Sequence, residues 1–151
     1  MKKLINRSFD ALMILSFTLL SFIVFSADFS LDNFSQDKIL PADEAFVLSI
    51  HKQEETRIIL RWTMKENCFL YKDKFDIASD SKILEAKEFS GEAIEVNDIY
   101  FGRVDVYFNS VSKEITVDEN TKKLQLSYQG CNEKGFCYPM IEKKIDINTL
   151  N

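Results

Sequence analysis

Apolar and polar residues alternate with period two along most of the chain beyond Ala45. In Arg57–Met64 the positions Ile58, Leu60, Trp62 and Met64 make one apolar face, while Arg57, Arg61 and Thr63 lie on the other. Leu124, Leu126 and Tyr128 alternate with Lys123, Gln125 and Ser127 in the same way, and Ile145 and Ile147 with Lys144 and Asp146. Shorter strands are predicted at 46–50, 69–71, 75–77, 83–86, 93–96, 104–108 and 114–117. Their connections are short and polar, as at 52–55, Asn109-Ser110 and 118–121. Many short strands at about ten-residue spacing predict an all-β fold, an antiparallel β-sandwich. One helical turn is expected within Leu40–Ala45, ahead of the first strand.

The first 26 residues follow a different pattern. Lys2, Lys3 and Arg7 precede an apolar run from Ala11 to Phe25, and the small residues Ser26 and Ala27 follow it. This is the layout of a signal peptide, expected over 1–26, with the mature domain over 27–151. The run is shorter than the ~20 residues a spanning helix needs, so no membrane insertion is expected after cleavage. A retained anchor is the alternative. Export places the mature chain in the periplasm, where a disulfide is chemically permitted. Loss of Lys2, Lys3, Arg7 and Asp10 would take the net charge from -5 to about -7. No basic patch is visible, which argues against a nucleic-acid partner. With 13 Phe, 5 Tyr and only four Gly and two Pro, the chain has the material for one packed domain.

Candidate chemistry concentrates near the C-terminus. Cys131 and Cys137 stand six positions apart in Tyr128-Gln-Gly-Cys-Asn-Glu-Lys-Gly-Phe-Cys-Tyr-Pro139. A hairpin-like pairing centred on Lys134 sets the two cysteines opposite one another, compatible with a disulfide. Closing so short a loop contributes roughly 2 kcal/mol, against more than ~4 kcal/mol for a loop of ~65 residues, so stability alone is a weak reason for the bridge. By parity Cys131 lies away from the Leu124/Leu126/Tyr128 face, and its sulfur is expected toward solvent. Cys137 shares parity with Ile141, Ile145 and Ile147, so two regular paired strands cannot also face their cysteines together. A bulge or irregularity near Tyr138-Pro139 is therefore expected. From these residues alone, a structural staple and a redox centre both remain open.

The motif Tyr-Gln-Gly-Cys-x5-Cys-Tyr-Pro, with Gly135-Phe136 before the second cysteine, resembles the active-site strand pair of the N-terminal periplasmic domain of the DsbD thiol:disulfide interchange family. Leu40-Pro41 with Glu44-Ala45-Phe46, Arg61-Trp62 with Phe69-Leu70-Tyr71-Lys72, and Asp98-Ile99-Tyr100-Phe101-Gly102 resemble further family segments, in the family's order. The resemblance implies an immunoglobulin-like sandwich that exchanges disulfides through Cys131 and Cys137. Cys137 would form mixed disulfides with partners and Cys131 would resolve them. The segment Asp98–Gly102 would be a cap over the sulfurs, with Tyr100 at the position of the family's shielding Phe and Phe101 beside it. Asp98 would raise the thiol pKa, Ile99 replaces a second family acid, and Tyr71 would bring its hydroxyl to the cysteines with Phe69 on the same strand face. Phe136 and Tyr138 flank the second cysteine. The implied activity is that of an interchange component, a protein-disulfide reductase incomplete by itself. It would relay electrons from a thioredoxin-like donor to oxidised periplasmic thioredoxin-fold proteins that serve disulfide isomerisation and cytochrome c maturation. The family's full-length protein adds a membrane electron carrier and a thioredoxin-like domain; with neither in these 151 residues, electrons are expected from separate proteins. A non-enzymatic binding or assembly module with a purely structural disulfide is the alternative.

Cys68 departs from the family pattern and is expected to be a buried, inert thiol, with pairing to Cys131 or Cys137 as the alternative. His51 is the single histidine and is expected at the surface; with one histidine and no acidic cluster, a zinc or copper site is not expected. No metal, no cofactor and a monomeric state are expected. Trp62 is expected in the core.

Overall fold

The computed structural model describes residues 39–150; the expected signal peptide and residues 27–38 of the expected mature domain lie outside them. A helical turn, Ala42–Ala45, leads into twelve strands. These are β1 Phe46–Lys52, β2 Arg57–Met64, β3 Cys68–Tyr71, β4 Asp76–Ser79, β5 Ile83–Ala86 and β6 Ala93–Asp98. There follow β7 Gly102–Phe108, β8 Ser110–Val117, β9 Lys123–Tyr128, β10 Gly130–Asn132, β11 Phe136–Cys137 and β12 Ile141–Asp146. Every named pair is antiparallel. One sheet runs β1-β2-β8-β5; the facing layer is formed by β11-β10-β3-β7-β6 and β12-β9-β4. This is the immunoglobulin-like antiparallel sandwich. Among the described residues no helix is long and apolar enough to cross a membrane.

Alternation in β2 delivers the main core: Ile58, Leu60 and Trp62 are fully buried, with Met64 nearly so. The Trp62 ring meets Phe75 edge-on at 4.9 Å and Tyr128 at 5.8 Å. Burying such apolar area is the dominant favourable term in folding. Asn109, at φ 60°, turns the chain from β7 into β8 of the other sheet, a left-handed position that Asn tolerates. The alternation at Ile145 and Ile147 ends earlier than its pattern suggests. Asp146 accepts the Asn148 N–H at 3.0 Å and starts a 3-10 turn, which still buries Ile147.

The five-stranded sheet is apolar on both faces. Cys68, Leu70 and Tyr107 face the main core, while Phe69, Tyr71, Val106 and Cys131 form a second cluster on the opposite side. Val96, Val104, Phe108 and Cys137 pack against that second cluster. It is the floor on which the cysteine pair rests.

Candidate active site at the cysteine hairpin

Strand β10 lies between β3 and β11, so Cys131 has Phe69 on one side and Cys137 on the other. A three-residue loop, 133–135, joins β10 to β11, with Gly135 at φ 90° closing it and its N–H donating to Asn132 O at 2.9 Å. The Tyr138 N–H donates to Gly130 O at 3.0 Å. That makes the neighbouring pair hydrogen-bonded and leaves Cys131–Cys137 a non-hydrogen-bonded pair, the kind in which strands approach most closely. Their Cα atoms are 4.0 Å apart and a disulfide joins them. Gly130 permits this packing: a Cβ there would lie 2.2 Å from Phe69 O and 2.8 Å from both the Leu70 and Phe46 side chains.

The irregularity expected at Tyr138-Pro139 is present. Chain 138–140 leaves the ladder, and the register slips by one residue between the Cys131–Cys137 pairing and the Ile141–Tyr128 pairing. The slip lets Cys137 join the second cluster while Ile141 packs on the main core. The expected solvent exposure of Cys131 is corrected. Parity does turn it from the main core, but the face it joins is covered, and Cys131 is 1% exposed against a half-buried Cys137.

The cover is the β6–β7 hairpin. Its loop, 99–101, is tied by Asp98, whose Oδ1 accepts the N–H groups of Tyr100 at 2.8 Å and Phe101 at 2.9 Å. Gly102, at φ 74°, ends the loop and lies outside the cleft. Tyr100 reaches across the cleft and donates its hydroxyl to Gly135 O at 3.2 Å. Phe101 instead sets its ring edge-on to Tyr71 at 5.2 Å, with the Lys74 ammonium 4.8 Å from its centroid. Between cap and hairpin lies a cleft of about 210 Å³, lined among others by Phe69, Asp98, Tyr100, Cys131 and Cys137.

Tyr71 connects the cap to the sulfurs. Its hydroxyl donates to Asp98 Oδ2 at 2.9 Å and lies 2.9 Å from Cys131 Sγ and 3.7 Å from Cys137 Sγ. A disulfide sulfur carries no hydrogen, so the single hydroxyl hydrogen belongs to the carboxylate. Burial, then the hydrogen bond to Asp98, push the Tyr71 phenol far above its usual range. Burial acts to raise the Asp98 carboxyl, but hydrogen bonds from Tyr100 N–H, the Tyr71 hydroxyl and Phe101 N–H outweigh it and hold the group below its ordinary value. Asp98 is therefore an ionised carboxylate beside the disulfide at neutral pH.

Of the residues predicted for the site, Cys131, Cys137, Asp98, Tyr71, Phe69 and Tyr100 meet in one place. Phe101 joins through Tyr71, and Phe136 lies partly exposed next to Cys137. Tyr138 points elsewhere: it is buried in the main core, stacks edge-on with Phe46 at 5.0 Å and donates to Leu40 O at 2.8 Å. Sequence reasoning missed Val96, Phe108, Asn132 and Glu133, which also line the cleft. The unbroken apolar run of β3 is the signal that both faces of this sheet are covered. Cys68 is a buried free thiol, raised by burial and partly restored by the Asn132 amide donating to its sulfur at 3.6 Å.

Comparison with known proteins bears directly on this constellation. The family model described as thiol:disulfide interchange protein DsbD, N-terminal, matches residues 36–149. The thiol:disulfide interchange protein DsbD of Vibrio cholerae is 34% identical over 120 residues, 78% of this chain and 20% of that protein. A second, DsbD 1 of Pseudomonas aeruginosa, is 31% identical over 117 residues, 72% of this chain and 19% of that protein. The chain thus spans about a fifth of the length of the curated relatives it matches. The reduced N-terminal domain of Neisseria meningitidis DsbD superposes with a TM-score of 0.64 at 29% identity, covering 74% of this chain and 90% of that one. The same domain in complex with the PilB N-terminal domain gives 0.59 at 26% identity, covering 73% and 88%.

Proposed function

The chain belongs to the family of DsbD N-terminal domains, and we propose that it relays electrons by thiol–disulfide exchange through Cys131 and Cys137 in the periplasm. The observation that carries this reading is the unequal burial of the two cysteines: Cys137 is half-buried on the wall of the cleft, and Cys131 is fully buried with its Sγ 2.9 Å from the Tyr71 hydroxyl. Thiol–disulfide exchange is an in-line attack, so the attacked sulfur must be reachable and the leaving sulfur must point away. A donor thiolate attacks Cys137 Sγ; the Cys131–Cys137 bond breaks and Cys131 leaves as a thiolate. The Tyr71 hydroxyl, already 2.9 Å from that sulfur, can turn its hydrogen from Asp98 to the new anion. The donor's second thiolate then attacks its own sulfur in the mixed disulfide. Cys137 is released, and two electrons and two protons have passed to this chain.

In the onward half-reaction the Cys137 thiolate attacks the acceptor's disulfide, and Cys131 resolves the mixed disulfide. The acceptor is released as a dithiol and the Cys131–Cys137 bond is restored. Donor and acceptors are thioredoxin-fold proteins, the acceptors being those of disulfide isomerisation and cytochrome c maturation. The relative solved in complex with a PilB N-terminal domain supports a protein partner. Asp98 acts against unpartnered reaction, since a carboxylate beside the sulfurs disfavours the thiolate.

Cys131→Ser leaves Cys137 able to attack but unable to be resolved. That variant should accumulate a mixed disulfide with an oxidised thioredoxin-fold acceptor on a non-reducing gel, and Cys137→Ser should not. A reduction potential in the thioredoxin range, near about -270 mV, agrees with a relay; one far below about -300 mV marks a structural bridge and overturns the reading.

A further inference from the structure

Asp98 and the cysteine pair are far apart in the chain, yet one carboxylate oxygen and the two sulfurs all lie within 4.8 Å of one another. As a disulfide the sulfurs are poor donors. Two-electron reduction, the premise of the exchange reading on which this inference rests, turns them into two soft anionic ligands beside a hard one. The strands hold all three in place: Cys131 and Cys137 as a cross-strand pair, Asp98 at the end of β6 with both oxygens hydrogen-bonded to the cap and Tyr71. The cleft leaves one side open, with Glu133 on its wall.

Two thiolates, one carboxylate and an open fourth position suit zinc, which takes sulfur and oxygen ligands tetrahedrally. Zinc–sulfur bonds of about 2.3 Å set the sulfurs roughly 3.7 Å apart, a spread that side-chain rotation in a cross-strand pair can supply. We propose that the reduced chain binds one zinc ion through Cys131, Cys137 and Asp98, with water in the fourth position, and that the ion withholds the dithiol from exchange. Binding forms two Zn–S bonds and one Zn–O bond and releases the two thiol protons to solvent; no electrons move. A sulfur lone pair engaged by zinc is not free to attack a disulfide. Conversely, forming the disulfide removes two of the three protein ligands, so the oxidised chain does not hold the ion.

The test is an anaerobic zinc titration of the full chain, reduced, desalted and set against a colorimetric zinc chelator. One zinc per reduced chain is expected, with no retention by the disulfide form. Cobalt(II) in place of zinc should give sulfur-to-metal charge-transfer absorption in the near ultraviolet. Asp98→Asn should weaken binding by about tenfold or more, Cys137→Ser should abolish the charge-transfer band, and Cys68→Ser should leave both readouts unchanged. A reduced chain that retains no zinc, or retention that survives Cys137→Ser but not Cys68→Ser, overturns the proposal. Electron transfer to an oxidised thioredoxin-fold protein, measured with excess chelator, tests the exchange reading separately. Excess zinc should slow that transfer and chelator should restore it; transfer at an unchanged rate with zinc bound also overturns the inhibitory role.

Discussion

Tyr100 ties the cap loop to the cysteine hairpin. Its hydroxyl spans from the β6–β7 loop to Gly135 O, the one direct hydrogen bond described between the cap loop and the cysteine hairpin. The residue is 60% exposed, so water competes for both partners. A neutral hydrogen bond of this kind contributes about 1 kcal/mol, or about a fivefold bias toward the closed cap. Tyr100→Phe keeps the ring and loses the latch. Reduction of the disulfide by a small dithiol should accelerate by about fivefold, with little change in the denaturant midpoint; alkylating the released thiols at timed intervals and counting them by mass would follow it. An unchanged rate would mean that the cap does not limit access. The site is unevenly legible in the sequence, for a physical reason. Parity correctly turned Cys131 away from the main core, but parity reports only which face a side chain takes. What covers that face is decided by Asp98, Tyr100 and Phe101, brought over it by a hairpin distant in the chain. Spacing could suggest the Cys131–Cys137 pairing because it is local; the contact of Tyr71 with Cys131 is not.

Elements were legible where one face is solvated. The alternation of Arg57–Met64 and of Lys123–Tyr128 coincides with β2 and β9, because a half-buried strand must write its burial into every second residue. The corners were less visible, being set by hydrogen bonds between turns. Asp80 is the clearest of these. Its carboxylate accepts the Lys123 N–H at 3.1 Å and the Lys122 N–H at 3.0 Å, tying the turn after β4 to the approach of β9. These bonds, the one from Lys123 first, hold its carboxyl below the ordinary value although the residue is at the surface. A folded-state pKa below the unfolded one means that the unfolded chain binds the proton more readily. Stability from Asp80 is therefore present above about pH 4 and is lost as pH falls through the folded pKa. Asp80→Asn keeps an acceptor oxygen and removes the charge. Denaturant midpoints should separate the variant from the parent at pH 7 and converge as the pH drops below about 4. A gap that persists undiminished at pH 3 would show that charge at this corner contributes nothing.

At the scale of the whole molecule, one sheet serves two masters. Its inner face belongs to the main core with Trp62, Leu70 and Tyr128; its outer face carries Phe69, Tyr71, Cys131 and the cap. The proposed exchange requires a chain that folds in both redox states, and this division allows it, since neither cysteine of the pair belongs to the main core. The six-residue separation also limits what the bridge does for the unfolded chain. Loop-closure entropy for so short a span is about 2 kcal/mol, a minor share of the roughly 5–15 kcal/mol that holds a domain of this size. Reduction should accordingly lower unfolding free energy by about 2 kcal/mol or less, leave the denaturant slope unchanged and preserve the near-ultraviolet circular dichroism of the buried aromatics. Parallel urea melts with and without a phosphine reductant, using Cys68→Ser to remove the third thiol, measure this directly. Loss of the aromatic signal on reduction would mean that the disulfide holds the main core together. The two faces would then be one cooperative unit, and the pair a staple after all. Retention of that signal, with a modest shift in midpoint, is what a sheet that separates folding from chemistry requires.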